Sequence, residues 1–202
     1  MSDQSLWRKR LCQARAEAEA IMKNDGEMTA RFVVYHRGRV TQFTTPFYDT
    51  TWKLQVFAFL SKMFIWLDAD GFVFLTETWV RGHERRHGES YAEMVRRVKD
   101  QPVSKVSDRK EALSLSAVYR DDDGERQCLA DMGFIDRNSV GVVTTIGWSS
   151  LETVMGGAVV KIMPEIEPDA ATVAGIAQIM SESLTTRLQD LQISVVPRYE
   201  EP

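Results

Sequence analysis

Thr50-Thr-Trp-Lys-Leu-Gln-Val-Phe-Ala-Phe-Leu-Ser-Lys-Met-Phe-Ile-Trp-Leu67, Asp68-Ala-Asp-Gly71 and Phe72-Val-Phe-Leu-Thr-Glu-Thr-Trp-Val80 follow one another as the densest apolar and aromatic run in the chain. The first segment has helical length, and Asp49 or Thr50 can cap its start. Asp68–Gly71 has the composition of a turn. Phe72–Val80 is almost continuously apolar, as expected of a strand covered on both faces. The reading is a buried helix that turns at Asp68–Gly71 into a central strand, and the other segments must pack around that unit.

Upstream, Leu6, Leu11, Ala14, Ala18, Ile21 and Met22 recur at three- and four-residue steps, with Arg and Glu on the opposite face. That spacing predicts an amphipathic helix over Ser5–Asn24, stopped by Asn24-Asp-Gly26. Thr29–Tyr35 is rich in β-branched and aromatic residues and reads as a strand. His36-Arg-Gly-Arg39 offers a tight turn with Gly38 free to take positive φ, and Val40–Thr45 returns as the second strand of a hairpin. Pro46 ends it, because proline cannot donate to a ladder.

Downstream the composition changes. Arg81–Glu111 holds nine Lys/Arg and six Asp/Glu with few apolar positions, an exposed charged excursion. Within it Ser90-Tyr-Ala-Glu93 matches a capping box, predicting a short helix to Lys99. Ala112–Tyr119 alternates Leu113, Leu115, Ala117 and Tyr119 with serines, the pattern of a half-buried strand. Asp121-Asp-Asp-Gly124 is a hairpin turn, and Arg126–Ile135 returns as the partner strand. Val140–Ile146 and Ala158–Met163 read as further short strands, followed by a linker over Pro164–Pro168. Asp169–Leu191 is the clearest helix, with Val173, Ile176, Met180, Leu184, Leu188 and Leu191 along one face. Residues 1–196 are expected to form a single domain, with 81–111 as its excursion and 197–202 as a disordered tail.

Bulk properties exclude several classes. The 202 residues carry a net charge of -4, with an isoelectric point near 5.5. Those values argue against a dedicated nucleic-acid binder. The basic run of the excursion is diluted by Glu84, Glu89, Glu93, Asp100, Asp108 and Glu111. Two cysteines far apart, Cys12 and Cys128, suit free thiols in a reducing compartment. The N-terminus lacks a signal-peptide pattern, and Trp52–Leu67 is too short and too interrupted for a membrane span. A cytoplasmic protein with no membrane partner is the expectation.

Three features could carry chemistry. His83-Glu84-Arg85-Arg86-His87 spells H-E-x-x-H, in which His83 and His87 on one helical face would hold zinc and Glu84 would act as base for a bound water. Gly82 and Gly88 bracket the pattern, Arg85 and Arg86 would crowd a dication, and no third ligand is evident. A charged surface loop explains the same residues. Glu77 is a carboxylate in a strand built of Phe, Val, Leu and Trp. Burying it demands a partner, so it is a weak catalytic candidate, or else a strand-end Glu paired with an Arg. Glu77 and Trp79 together are a candidate small-ligand site, and Asp131 raises the same question. Asp68–Gly71 and Asp121–Gly124 lack calcium-loop spacing, and Cys128 fits a small core residue. No phosphate-binding glycine loop or G-x-S-x-G elbow occurs.

The strand Phe72-Val-Phe-Leu-Thr-Glu77-Thr-Trp79, followed by Ser107-Asp-Arg-Lys-Glu-Ala-Leu-Ser-Leu-Ser-Ala117, resembles a group of bacterial and phage proteins. That group carries a Glu-Ala-Trp strand end and an Asp-Arg-x-Glu segment leading into a Leu-x-x-Ser-Ala strand. The similarity covers roughly residues 50–135 and departs from the group at Thr78 and in the basic insertion. The resemblance implies no activity, and it marks Glu77, Trp79 and Arg109 as positions to inspect. The order helix, two strands, helix, three or more strands, helix is also that of profilin-like and Roadblock-like domains, a likeness of fold only.

The expectation is thus a single α+β domain, an antiparallel sheet of five or more strands under three main helices. Its expected function is non-enzymatic, an interaction or accessory protein with a protein partner or a second copy of itself. The alternatives are a zinc-dependent hydrolase using His83, Glu84 and His87, and a small-ligand site at Glu77 and Trp79.

Overall fold

The computed structural model describes residues 3–80, 109–151, 159–165 and 167–198, together with Gly88, Ser90 and Glu93. The elements run α1 (Asp3–Asp25), β1 (Ala30–His36), β2 (Arg39–Thr45), α2 (Thr50–Leu67), β3 (Ala69–Val80), β4 (Lys110–Arg120), β5 (Arg126–Arg137), β6 (Val143–Leu151), a 3₁₀ turn at Val160–Ile162, α3 (Ala170–Asp190) and β7 (Ser194–Arg198). Among the described residues the strands form one seven-stranded antiparallel sheet in the order β6-β5-β4-β3-β1-β2-β7. The fold is α+β. No helix of the described residues is long and apolar enough to cross a membrane.

The deciding unit forms as its sequence dictates. Asp49 accepts a hydrogen bond from the Trp52 amide at 2.8 Å and starts α2. Asp68, in the left-handed region at φ 58°, ends the helix by donating its amide to Ile65 and Phe64 carbonyls. The strand begins at once, at Ala69, so Asp70 and Gly71 belong to β3 rather than to the turn.

Strand alternation then divides the interior in two. Phe32, Val34, Phe72, Phe74 and Val118 point to the side covered by α2, the 3₁₀ turn and α3. Val33, Tyr35, Val73, Leu75, Leu113, Leu115 and Tyr119 point to the side covered by α1. Phe72–Leu75 is buried on both faces, as its unbroken apolar run requires. From α1 come Trp7, Leu11, Ala14, Ala18 and Met22, all buried. Each large side chain of this kind contributes about 1.5–3 kcal/mol.

Several sequence expectations change in the structure. Ala112–Tyr119 is buried throughout, serines included, because β4 lies inside the sheet with both faces covered. The apolar run ending at Met163 forms a 3₁₀ turn over Val160–Ile162 rather than a strand. Periodicity cannot distinguish these for so few residues, and Val160, Ile162 and Met163 pack against α2. The chain end is a strand instead of a tail through Arg198. Pro197 is tolerated because, among the described residues, β7 is an edge strand paired only with β2. Residues 199–202 lie outside the described residues.

Candidate functional site

The β3–β4 register places Glu77 opposite Leu113 and Trp79 opposite Glu111. Glu77 shares the side of Val73 and Leu75, at the end where α1 gives way to the loop through Gly26. That loop turns back at positive φ on Gly26, whose amide bonds the Met22 carbonyl. The loop returns over Glu77, and the Met28 amide donates to Glu77 Oε2 at 3.4 Å. Burial pushes the Glu77 carboxyl above its ordinary range, and the neighbouring Glu111 carboxyl, in hydrogen-bond contact, adds to the effect. The Met28 amide and Arg137 oppose it.

Arg137, from the end of β5, joins the parts. It forms a two-pronged ion pair with Glu111, donates to the Gly26 carbonyl at 2.7 Å, and donates to the Gly141 carbonyl at 3.0 Å. One guanidinium therefore ties β4, the end of α1 and the β5–β6 turn together. The arginine expected for the strand-end Glu is present, but it grips Glu111, leaving Glu77 beside that pair. Trp79 is 42% exposed, and the Arg109 guanidinium lies 4.3 Å from its ring.

The other sequence candidates separate. His83, Glu84 and His87 lie outside the described residues. The Ser90–Glu93 capping box is closed, with the Ser90 amide donating to Glu93 at 2.8 Å and the Glu93 amide to Ser90 Oγ at 3.3 Å. Among the described residues no group of three or more His, Cys, Asp or Glu side chains could hold a metal ion. Asp131 is buried and meets Arg8 of α1 at 3.3 Å, so its cost is offset by a helix–sheet ion pair. Cys128 is half-buried, and burial pushes its thiol up, away from the reactive thiolate.

The structure adds a cavity at the opposite end of β3, of about 680 Å³. Its walls come from the start of α1, the end of α2, Met163–Pro164, the turn at Asp68 with the first residues of β3 through Asp70, and the acid-rich turn at Asp121–Asp122. Because β3 and β4 are antiparallel, with Gly71 opposite Tyr119, the two turns meet at one corner. The sequence held this signal as two separate turns, and only the strand pairing connects them. Burial and then Asp68 hold the Asp70 carboxyl above its ordinary range. Burial and then Arg39 hold the nearby His36 below its own.

No family model matches the chain, and neither a curated protein nor a solved structure matches it.

Proposed function

We propose that the protein is a non-enzymatic interaction protein that pairs with a second copy of itself through the outer face of α2 and α3. The observation that carries this reading is the incomplete burial of α3. Of its 21 residues only Met180 is buried, although an apolar stripe runs its length. Ile176, Leu184 and Leu188 are half-covered, and Val173 and Ile179 are 38% and 47% exposed. An amphipathic helix of this kind is usually held by packing of that stripe.

Charge distribution supports the same face. The α2 helix has two charged side chains in 18 residues and α3 has three in 21, whereas α1, over the other side of the sheet, has nine in 23. Depletion of charge at the centre marks protein interfaces. The outward positions Ala58, Ala171, Ala174 and Gly175 are small and exposed, which lets a facing helix approach closely. Two such helices side by side present on the order of 600 Å² in projection. A corrugated face has more accessible area than its projection, which brings it to the roughly 800 Å² per partner of a standard interface. With cations and anions nearly balanced on the layer, a second copy meets no like-charge barrier.

Sedimentation equilibrium across a wide concentration range tests this. The native chain is expected to dimerise, and Gly175→Arg to shift it to monomer with unchanged circular dichroism. Open space surrounds that position, so the fold accommodates the side chain. A chain that stays monomeric at all concentrations, or a dimer indifferent to Gly175→Arg and Ile179→Glu, overturns the reading. Binding of a different protein to this face by the monomer would assign it to a hetero-partner instead.

A further inference from the structure

We infer that β6 is a docking strand for the β6 of a second copy, the two pairing antiparallel about Gly147 so that two sheets become one. β6 is nine residues long and, among the described residues, pairs only with β5. Its other side presents a row of backbone donors and acceptors without a strand to meet them. Thr144, Thr145, Gly147, Ser149 and Ser150 are all exposed, so the strand stands open to solvent along its length.

The two edges of the sheet differ. β7 has five residues and carries Pro197 and Arg198, with Arg198 held by Glu17. Short length, proline and charge are the features that keep an edge from pairing. β6 reads Val143-Thr-Thr-Ile-Gly-Trp-Ser-Ser-Leu151, with no proline and no charged residue. An edge of that length and composition is a template for another strand.

The sequence of β6 specifies the occupant. Gly147 is its central residue, so a twofold axis there pairs the whole strand with its own copy in reverse. Ile146 then stands opposite the partner's Trp148, a β-branched side chain against an aromatic one. Thr145 stands opposite the partner's Ser149, hydroxyl against hydroxyl. Both are favoured cross-strand pairs, each occurs twice by symmetry, and no charge in the strand meets a like charge. Open space surrounds Gly147, so nothing crowds the axis. This edge is separate from the α2–α3 face. One strand buries less surface than two helices, so edge pairing is the weaker contact and fills at higher concentration.

Disulfide trapping tests this in a Cys12→Ser, Gly175→Arg background. That background removes the exposed native thiol and keeps the α2–α3 face from bringing strands together. Gly147→Cys places two thiols at the axis, where opposite Cα atoms of an antiparallel pair lie about 4.5–5.5 Å apart, within disulfide reach. Ser149→Cys and Ser150→Cys are also exposed, but each would lie roughly 14 and 20 Å along the strand from its own counterpart. Under mild oxidation Gly147→Cys is expected to form dimers at least about tenfold faster than either. Thr145→Cys combined with Ser149→Cys is expected to give a doubly linked dimer. Equal rates at positions 147, 149 and 150, faster linkage at 149 or 150, or no linked dimer from Gly147→Cys each overturns the inference.

Discussion

The indole of Trp7 presses on Gly71, so close that a Cβ there would stand 2.5 Å from its Cη2 and Cζ2 carbons and 2.6 Å from the Val118 carbonyl oxygen. Trp7 also stacks on Tyr119, with centroids 5.0 Å apart and planes 12° from parallel, and meets Tyr35 edge-on. This contact seats the start of α1 on the sheet, and Trp7 also lines the cavity.

Gly71→Ala is accordingly expected to cost about 2–3 kcal/mol, at the upper end for overpacking, because one of the obstructing atoms is backbone and cannot rotate away. Trp7→Ala alone is expected to cost about 3–5 kcal/mol. In the Trp7→Ala background, Gly71→Ala should cost less, the remainder being the Val118 clash. Urea denaturation of the four proteins measures this, and additive costs would refute the contact.

Glu77 sets a pH dependence. Its folded carboxyl holds a proton more readily than the unfolded one, for which the ordinary value is 4.5. Between these two values the folded state binds more protons, so this contribution to stability is present on the acidic side. It is lost as pH rises through the folded value. Glu77→Gln is expected to remove that slope and to stabilise the protein near pH 7.5 by up to about 1 kcal/mol, the half-exposed site being screened by solvent. Asp70 acts in the same direction, so the comparison is made in an Asp70→Asn background. Equal stability differences at pH 5 and 7.5 would contradict this.

Arg137→Ala should destabilise by about 1–3 kcal/mol, since it frees two carbonyl acceptors and leaves Glu111 uncompensated beside Glu77. Adding Glu111→Gln should recover part of the loss. A double-mutant cycle with no coupling between the two positions would show that the pair contributes only through its separate halves.

Removing residues 194–202 deletes β7 and the pairing of Arg198 with Glu17 of α1, a carboxylate that Arg31 also holds. It leaves the β2 edge unpaired. The shortened chain is expected to lose stability and to aggregate on concentration, whereas Arg198→Ala should cost under about 1 kcal/mol and remain soluble. Light scattering and thermal melts distinguish the two.

The sequence alone determined the local elements wherever period and punctuation agreed. Asp49 and the run to Leu67 specify α2, Gly38 specifies the β1–β2 turn, and the step of three and four specifies α3. These are properties of neighbouring residues, so they survive without knowledge of the fold. Glu77 was legible as an anomaly for the same reason, a carboxylate in an apolar strand. Its surroundings were not, because Glu111, Arg137 and Met28 reach it across three other segments. Trp7 gave no signal beyond one apolar residue near a helix start, and its importance comes from facing a glycine 64 positions away. Ser114 and Ser116 looked outward until neighbouring strands enclosed β4, and Pro197 and Arg198 looked like the start of a tail until β7 paired with the β2 edge. The cavity exists only because antiparallel pairing returns β4 to the start of β3 and brings two acidic turns together. Periodicity reports which face of a residue is apolar, and only tertiary packing decides what meets that face.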